Sequence, residues 1–259
     1  MITVQELLAD PPKLHVFRQT AATPDGMFKP GELINRWKLS DEELLFISRH
    51  VGKDSKTIET GAGCSTILFA LLGCKHTCIV PDGPLTERIL AFCKSKDIPT
   101  DKLTFIIEPS EQGLPKVETK DFDLALIDGR HGFPQPFLDW YYVSERLKNG
   151  GYVIIDDLHI WVCETLMSFL LEERSDWKLV HESLGGCAFE KLNDGSQNRE
   201  YEDQPFVKNR SRQFTLSGKA RYMANLLRRG NIPLFTETFK LGIQSALMGK
   251  FGERPAGRR

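Results

Sequence analysis

Along residues 55–192, short apolar runs alternate with longer stretches of helical periodicity. The strand-like runs are Thr57–Glu59, His76–Val80, Leu103–Ile107, Phe122–Ile127 and Tyr152–Ile155, each bounded by the Gly, Pro, Asp or Ser residues that interrupt regular structure. Between them, Ser65–Leu72, Leu85–Lys96, Pro136–Leu147 and His159–Arg174 read as helices. Strands joined by helical crossovers run parallel, so the alternation predicts a Rossmann-like, doubly wound α/β sheet that binds its ligand at the carboxyl ends of the strands. The pattern changes at Trp177–Glu182 and Cys187–Leu192, two strands separated by Ser183–Gly186, which predict a β-hairpin. The expected sheet has seven strands, mostly parallel, with an antiparallel C-terminal hairpin.

The flanks read differently. Residues 3–19 predict one or two short helices broken by Pro11-Pro12, and a loop with Pro24, Gly26, Pro30 and Gly31 follows. Ser40 and Glu43 form a capping box ahead of Leu44, Leu45, Ile47 and Val51, which predicts a helix over 41–51. Beyond Leu192, the polar stretch Asn193–Asp203 reads as a linker or loop, and helices are expected over Ala220–Arg229 and Thr236–Met248, ahead of a Gly- and Arg-containing end at 252–259. The chain therefore divides into a helical N-terminal extension (1–54), a core (55–192) and a partly helical C-terminal appendage (193–259).

Charge sharpens this division. The 259 residues carry a net charge of −1, yet residues 208–259 hold twelve Lys/Arg against Glu237 and Glu253, a surplus of +10 that leaves −11 on the rest. Six cysteines, Cys64, Cys74, Cys78, Cys93, Cys163 and Cys187, are scattered without a CxxC pair. They read as small buried residues in a reducing compartment, and Cys74 and Cys78 lack the second ligand pair of a zinc site. No apolar run is long enough to span a bilayer and the start lacks a basic then apolar leader, so a cytoplasmic protein without a membrane partner is expected.

The first candidate for chemistry is the loop after the first core strand. Glu59 ends the strand, Gly61-Ala62-Gly63 makes a turn through which backbone can approach a ligand, and Ser65-Thr66 start a helix. A dinucleotide fingerprint has a third glycine where Thr66 stands and no acid before the first. Glu59-x-Gly61-x-Gly63-x-Ser65-Thr66 resembles the first motif of class I methyltransferases, a likeness that extends over about residues 55–192 and includes the terminal hairpin. It implies S-adenosylmethionine as cofactor, with Glu59, Gly61, Gly63, Ser65 and Thr66 at its methionine and ribose end and the acid drawing the amino group. Asp82 either reaches the ribose hydroxyls or begins the turn before the Leu85 helix, and Ser110 is the candidate at the adenine.

The second candidate is the pair of acidic strand ends. Asp128 ends the fourth strand within Ile127-Asp128-Gly129-Arg130-His131, and Asp156-Asp157 end the fifth after Leu147-Lys148-Asn149-Gly150-Gly151. Together they resemble a small-molecule O-methyltransferase group that includes sugar O-methyltransferases. That resemblance implies a divalent cation such as Mg²⁺ on Asp128, Asp156 and Asp157, and three converging carboxylates would repel one another without a counter-ion. Where the relatives carry an acid two residues after the first Asp, this chain has Arg130, which leaves His131 as candidate base or as a loop residue beside the cofactor. Asp157 could instead cap the helix near His159. Trp161 stands either in core packing or at the pocket edge, and Phe133 and Trp140 either pack on the sheet or border the acceptor site.

The reading is an enzyme that transfers a methyl group to an oxygen of a small-molecule acceptor, with Asp128 and His131 as its catalytic residues. The basic tail would cover the site, pair subunits as a homo-oligomer or attract an anionic acceptor. The competing reading gives that tail to nucleic acid, as a nucleic-acid or protein methyltransferase. A dehydrogenase and a non-catalytic cofactor-binding protein complete the alternatives.

Overall fold

The computed structural model describes residues 2–17, 29–35, 38–195 and 198–248. Pro24 and Gly26 of the expected loop and the end at 252–259 lie outside the described residues. The chain forms two compact units, 1–198 and 199–259.

The first unit begins with α1 (Val4–Ala9), capped by Thr3 and Glu6, and the short antiparallel pair β1 (His15–Val16) and β2 (Leu33–Ile34). This pair replaces the second short helix expected before residue 19. The apolar residues there find partners far along the chain: Leu14 N donates to Ile34 O at 3.2 Å and Phe17 N to Glu32 O at 2.9 Å. Helix α2 (Asp41–His50) has the predicted capping box, Glu43 N donating to Ser40 Oγ at 3.2 Å and Ser40 N to Glu43 Oε2 at 2.9 Å.

The Rossmann-like core follows as β3 (Lys56–Thr60), α3 (Cys64–Leu71), β4 (Lys75–Ile79), α4 (Gly83–Ser95), β5 (Leu103–Ile106), α5 (Ser110–Gly113), β6 (Phe122–Ile127), α6 (Gln135–Ser144), β7 (Leu147–Ile155), α7 (Trp161–Glu172), β8 (Trp177–Glu182) and β9 (Cys187–Lys191). Its seven-stranded sheet has the order β5-β4-β3-β6-β7-β9-β8, parallel from β5 to β7 and antiparallel at β9 and β8. This bears out the expected fold, hairpin included.

Central strands β3 and β6 are covered on both faces, and their residues are buried almost without interruption, as parallel strands flanked by helices require. Helix α3 is apolar on every side and buries Ile67, Leu68, Phe69 and Ala70. Helix α4 buries the stripe Leu85, Ile89 and Cys93, spaced by four, with Thr86 beside it. β4 and β6 both pair with β3, so the chain reverses its direction across the sheet there, leaving a crevice at the carboxyl ends of the strands.

Two glycines permit close approach near that crevice. At Gly61, φ is +92° and a Cβ would lie 2.0 Å from the carbonyl oxygen of Asp128. At Gly186, a Cβ would lie 1.9 Å from Glu43 Oε1, so the hairpin turn can pack on α2 only as glycine. Ser183 Oγ donates to the same Glu43 oxygen at 3.1 Å, which fastens hairpin to helix.

In the second unit, α8 (Pro205–Arg228) and α9 (Ile232–Met248) pack on one another. Both extend the predicted helices toward the N-terminus, α8 by fifteen residues, through Gly218. Among the described residues no helix is long and apolar enough to cross a membrane.

The capping box gives the fold its first test. Ser40→Ala removes the acceptor for Glu43 N, and the expected loss is about 1 kcal/mol in denaturant unfolding. An unchanged midpoint would show that tertiary packing alone holds this helix end.

Candidate active site

A cleft of about 810 Å³ lies at the carboxyl ends of β3, β4, β6 and β7. Gly61 and Ala62 line it from the first loop, Val80 and Asp82 from the end of β4, and Ser110 and Glu111 from the start of α5. Asp128 and His131 enter after β6, and Asp156, Asp157 and His159 after β7. His15 and Lys38 complete it from the N-terminal segment.

The backbone of the first loop, rather than its acid, faces this cleft. The buried carboxylate of Glu59 accepts from Ser65 Oγ at 2.7 Å and from Thr66 Oγ1, and His76 Nε2 lies 3.1 Å from it. His76 Nδ1 in turn meets Thr57 Oγ1 at 2.8 Å, and its ring stacks on Phe69. Buried polar groups require partners, and here two helix-start hydroxyls and an imidazole supply them. Of the residues expected at the cofactor, Glu59, Gly63, Ser65 and Thr66 are not among those that line the cleft, and Glu59, Ser65 and Thr66 brace the turn. Cys78 shares this cluster with Glu59 and His76 and donates Sγ–H to Gly61 O at 3.2 Å.

Asp82 combines both of its readings: it lines the cleft, and its Oδ1 accepts Leu85 N at 3.0 Å as the cap of α4. Ser110 also lines the cleft, with Oγ accepting from Gln135 Nε2 at 2.8 Å. Gln135 further bonds Asp139 at 2.9 Å and Arg130 at 3.0 Å, and Arg130 pairs with Glu111 at 2.9 Å. Glu111, Gln135, His15 and Lys38 were not singled out in the sequence, because only the folded chain brings their segments to the strand ends.

The acids at the ends of β6 and β7 converge. Burial, then the neighbouring Asp156 and Asp157, hold the Asp128 carboxyl well above the usual carboxylate range. Burial and the Glu43 carboxylate push Asp156 up to about 7. Asp157 does not cap the next helix: α7 starts at Trp161 after Ile160, and the Asp157 carboxylate faces His131 Nδ1 at 3.4 Å and His159 Nδ1 at 3.6 Å. At φ +58° its backbone turns away from the cap geometry. Burial lowers the His131 pKa against the pull of Asp157, and His131 Nε2 is buried without a hydrogen-bond partner. Donor atoms of Asp128, His131 and Asp157 lie within 4.8 Å of one another, and Asp156 stands outside that set.

Trp140 is core rather than pocket, 5% exposed and packed edge-on to Phe169 at 5.0 Å. Trp161 and Phe133 are instead 69% and 72% exposed, with ring centroids 6.3 Å apart. All six cysteines are free and buried.

A parallel sheet with a crevice at its reversal point, a glycine turn against that crevice and a terminal hairpin define a Rossmann-like cofactor-binding enzyme. Residues 58–158 match the family model described as a methyltransferase domain. The chain's structure is similar to cofactor-bound Rv0187 from MTB, with a TM-score of 0.53 and 14% identity over 62% of this chain and 84% of that one. It is also similar to the O-methyltransferase TomG of tomaymycin synthesis from Streptomyces achromogenes, solved with S-adenosylmethionine, with a TM-score of 0.51 and 13% identity over 62% and 84%. An rRNA methylase from Streptococcus thermophilus gives 0.49 and 14% over 60% and 99%. At these identities the first two likenesses establish the fold alone. No curated protein matches the chain significantly in sequence.

The electrostatics give a pH test. With its pKa raised from 3.8 to about 7, Asp156 binds a proton in the native chain that the unfolded chain has already lost. Its contribution to stability is therefore greatest below about pH 4 and declines as pH rises through that window toward 7. Asp156→Asn removes the effect, so thermal unfolding should show a Tm gain of a few degrees at pH 8 and a smaller one at pH 5. Equal changes at both pH values would contradict the assignment.

Proposed function

We propose that this methyltransferase modifies an oxygen of a small-molecule acceptor, with His131 as the base that takes the hydroxyl proton. The observation behind this reading is the buried Nε2 of His131, without a partner in a residue that lines the cleft. A lowered pKa keeps the ring neutral near pH 7, and the carboxylate of Asp157 beside Nδ1 favours the tautomer that leaves the lone pair on Nε2.

Gly61 and Ala62 line the cleft, and with no side chain at Gly61 the loop closes on the Asp128 carbonyl, which supports a cofactor seated against the backbone there. Gly61 and Ala62 would adjoin the methionine moiety, Asp82 the ribose and Ser110 the adenine. When bound, S-adenosylmethionine supplies an electrophilic methyl on its sulfonium. The chain's contribution is to hold the acceptor oxygen in line and to accept its proton at His131.

A second reading rests on the close approach of Asp128, His131 and Asp157, a donor set that suits a divalent cation such as Mg²⁺. The base reading is preferred because Asp156, one of the three acids expected to hold such a cation, stands outside that donor set. With S-adenosylmethionine and panels of sugars, phenols and RNA, methyl transfer is expected to a hydroxylated small molecule. On that acceptor, His131→Gln should lower kcat by about 10²-fold or more. Its affinity for S-adenosylhomocysteine should be unchanged, and EDTA should have no effect. Loss of turnover on chelation would assign the centre to a metal instead.

Nucleic acid is the other acceptor class to test, since α8 carries six Lys/Arg and no acid. Filter binding to RNA is expected to be weak at physiological salt. Tight binding that falls steeply with added salt would move the acceptor to nucleic acid.

A further inference from the structure

The N-terminal pair β1 and β2 brings a side chain onto the cofactor loop. A Cβ built on Gly63 would lie 3.2 Å from His15 Nε2 and 3.9 Å from its Cε1, so the imidazole rests against the glycine turn. Its backbone is fixed from both sides. Arg88 Nε donates to Leu14 O at 2.6 Å, Leu14 N pairs with Ile34 O, and the side chains of Leu14 and Phe17 are buried.

Lys38 lines the same cleft, its ammonium held by Asp41, and its charge is felt by the Cys64 thiol at the first residue of α3. Two nitrogen-bearing side chains from outside the family-matched segment therefore line the cleft, His15 against Gly63.

The remaining charge of the cleft makes this pair distinctive. The other nitrogen-bearing side chains of the lining each face a carboxylate of the lining itself, Arg130 facing Glu111 and His131 and His159 facing Asp157, whereas the partner of Lys38, Asp41, is not part of the lining. The amino-acid end of the cofactor carries both an ammonium and a carboxylate, and Glu59 is turned inward, away from it. We infer that His15 and Lys38 form the subsite for the carboxylate of S-adenosylmethionine, by an imidazole N–H and an ammonium. This inference rests on the S-adenosylmethionine reading of the cleft.

Calorimetry on the full chain with two ligands tests it. S-adenosylhomocysteine carries the amino-acid end, and 5′-methylthioadenosine has the same adenosine and thioether without it. His15→Ala and Lys38→Ala should each weaken S-adenosylhomocysteine by about tenfold, the scale of a lost charge-assisted hydrogen bond, and leave methylthioadenosine within about twofold. His15→Gln, which keeps an N–H donor, should recover part of the loss. Equal weakening of both ligands, or no weakening of either, would overturn the subsite with the cofactor reading intact. A wild-type chain that binds neither ligand would overturn the cofactor reading itself, and the subsite with it.

Discussion

The contact between the backbone of Gly61 and the carbonyl of Asp128 governs the rest of the site. It joins the first strand's loop to the loop that follows β6, and no side chain fits between them. Parallel pairing of β3 with β6 puts these two strand ends side by side, and Asp128 N donates to Thr60 O at 3.1 Å to continue the pairing past the strands. The glycine turn therefore lines the same cleft as Asp128 and His131. Behind the turn, the Glu59 network with Ser65, Thr66 and His76 ties β3, β4 and α3 together, so the loop's position is set by buried, satisfied groups.

The acids are held together by the same packing, and their environments divide their roles. Asp128 and Asp156 are buried next to one another and favour the protonated form. Asp157, more open to solvent, faces two imidazoles. Glu43 reaches this group from α2, and its carboxylate raises Asp156. A helix far back in the chain thus tunes the end of β7. The N-terminal segment reaches the same cleft through His15 and Lys38.

Local signals made the core legible. Phe122–Ile127 and Trp177–Glu182 fall on their predicted bounds because apolar runs closed by Asp and Ser leave few alternatives. β7 begins at Leu147 rather than Tyr152, because a register shift against β6 carries the strand through Gly150-Gly151. The second N-terminal helix gives way to β1 because Leu14 and Phe17 find backbone partners near Ile34, a pairing that no local window contains.

The chain's own pattern determined the α/β alternation, the hairpin, the glycine turn and the acids that end β6 and β7, since each depends on residues adjacent in sequence. Tertiary structure decided which of them face the cleft. It turned Glu59 inward because Ser65, Thr66 and His76 could satisfy it there, and it turned Asp157 toward His131 in place of the α7 terminus. It exposed Trp161 while burying Trp140, and it added His15 and Lys38 from a segment whose sequence carries no cofactor signal. Periodicity reports neighbours along the chain, whereas a site is made by neighbours across it.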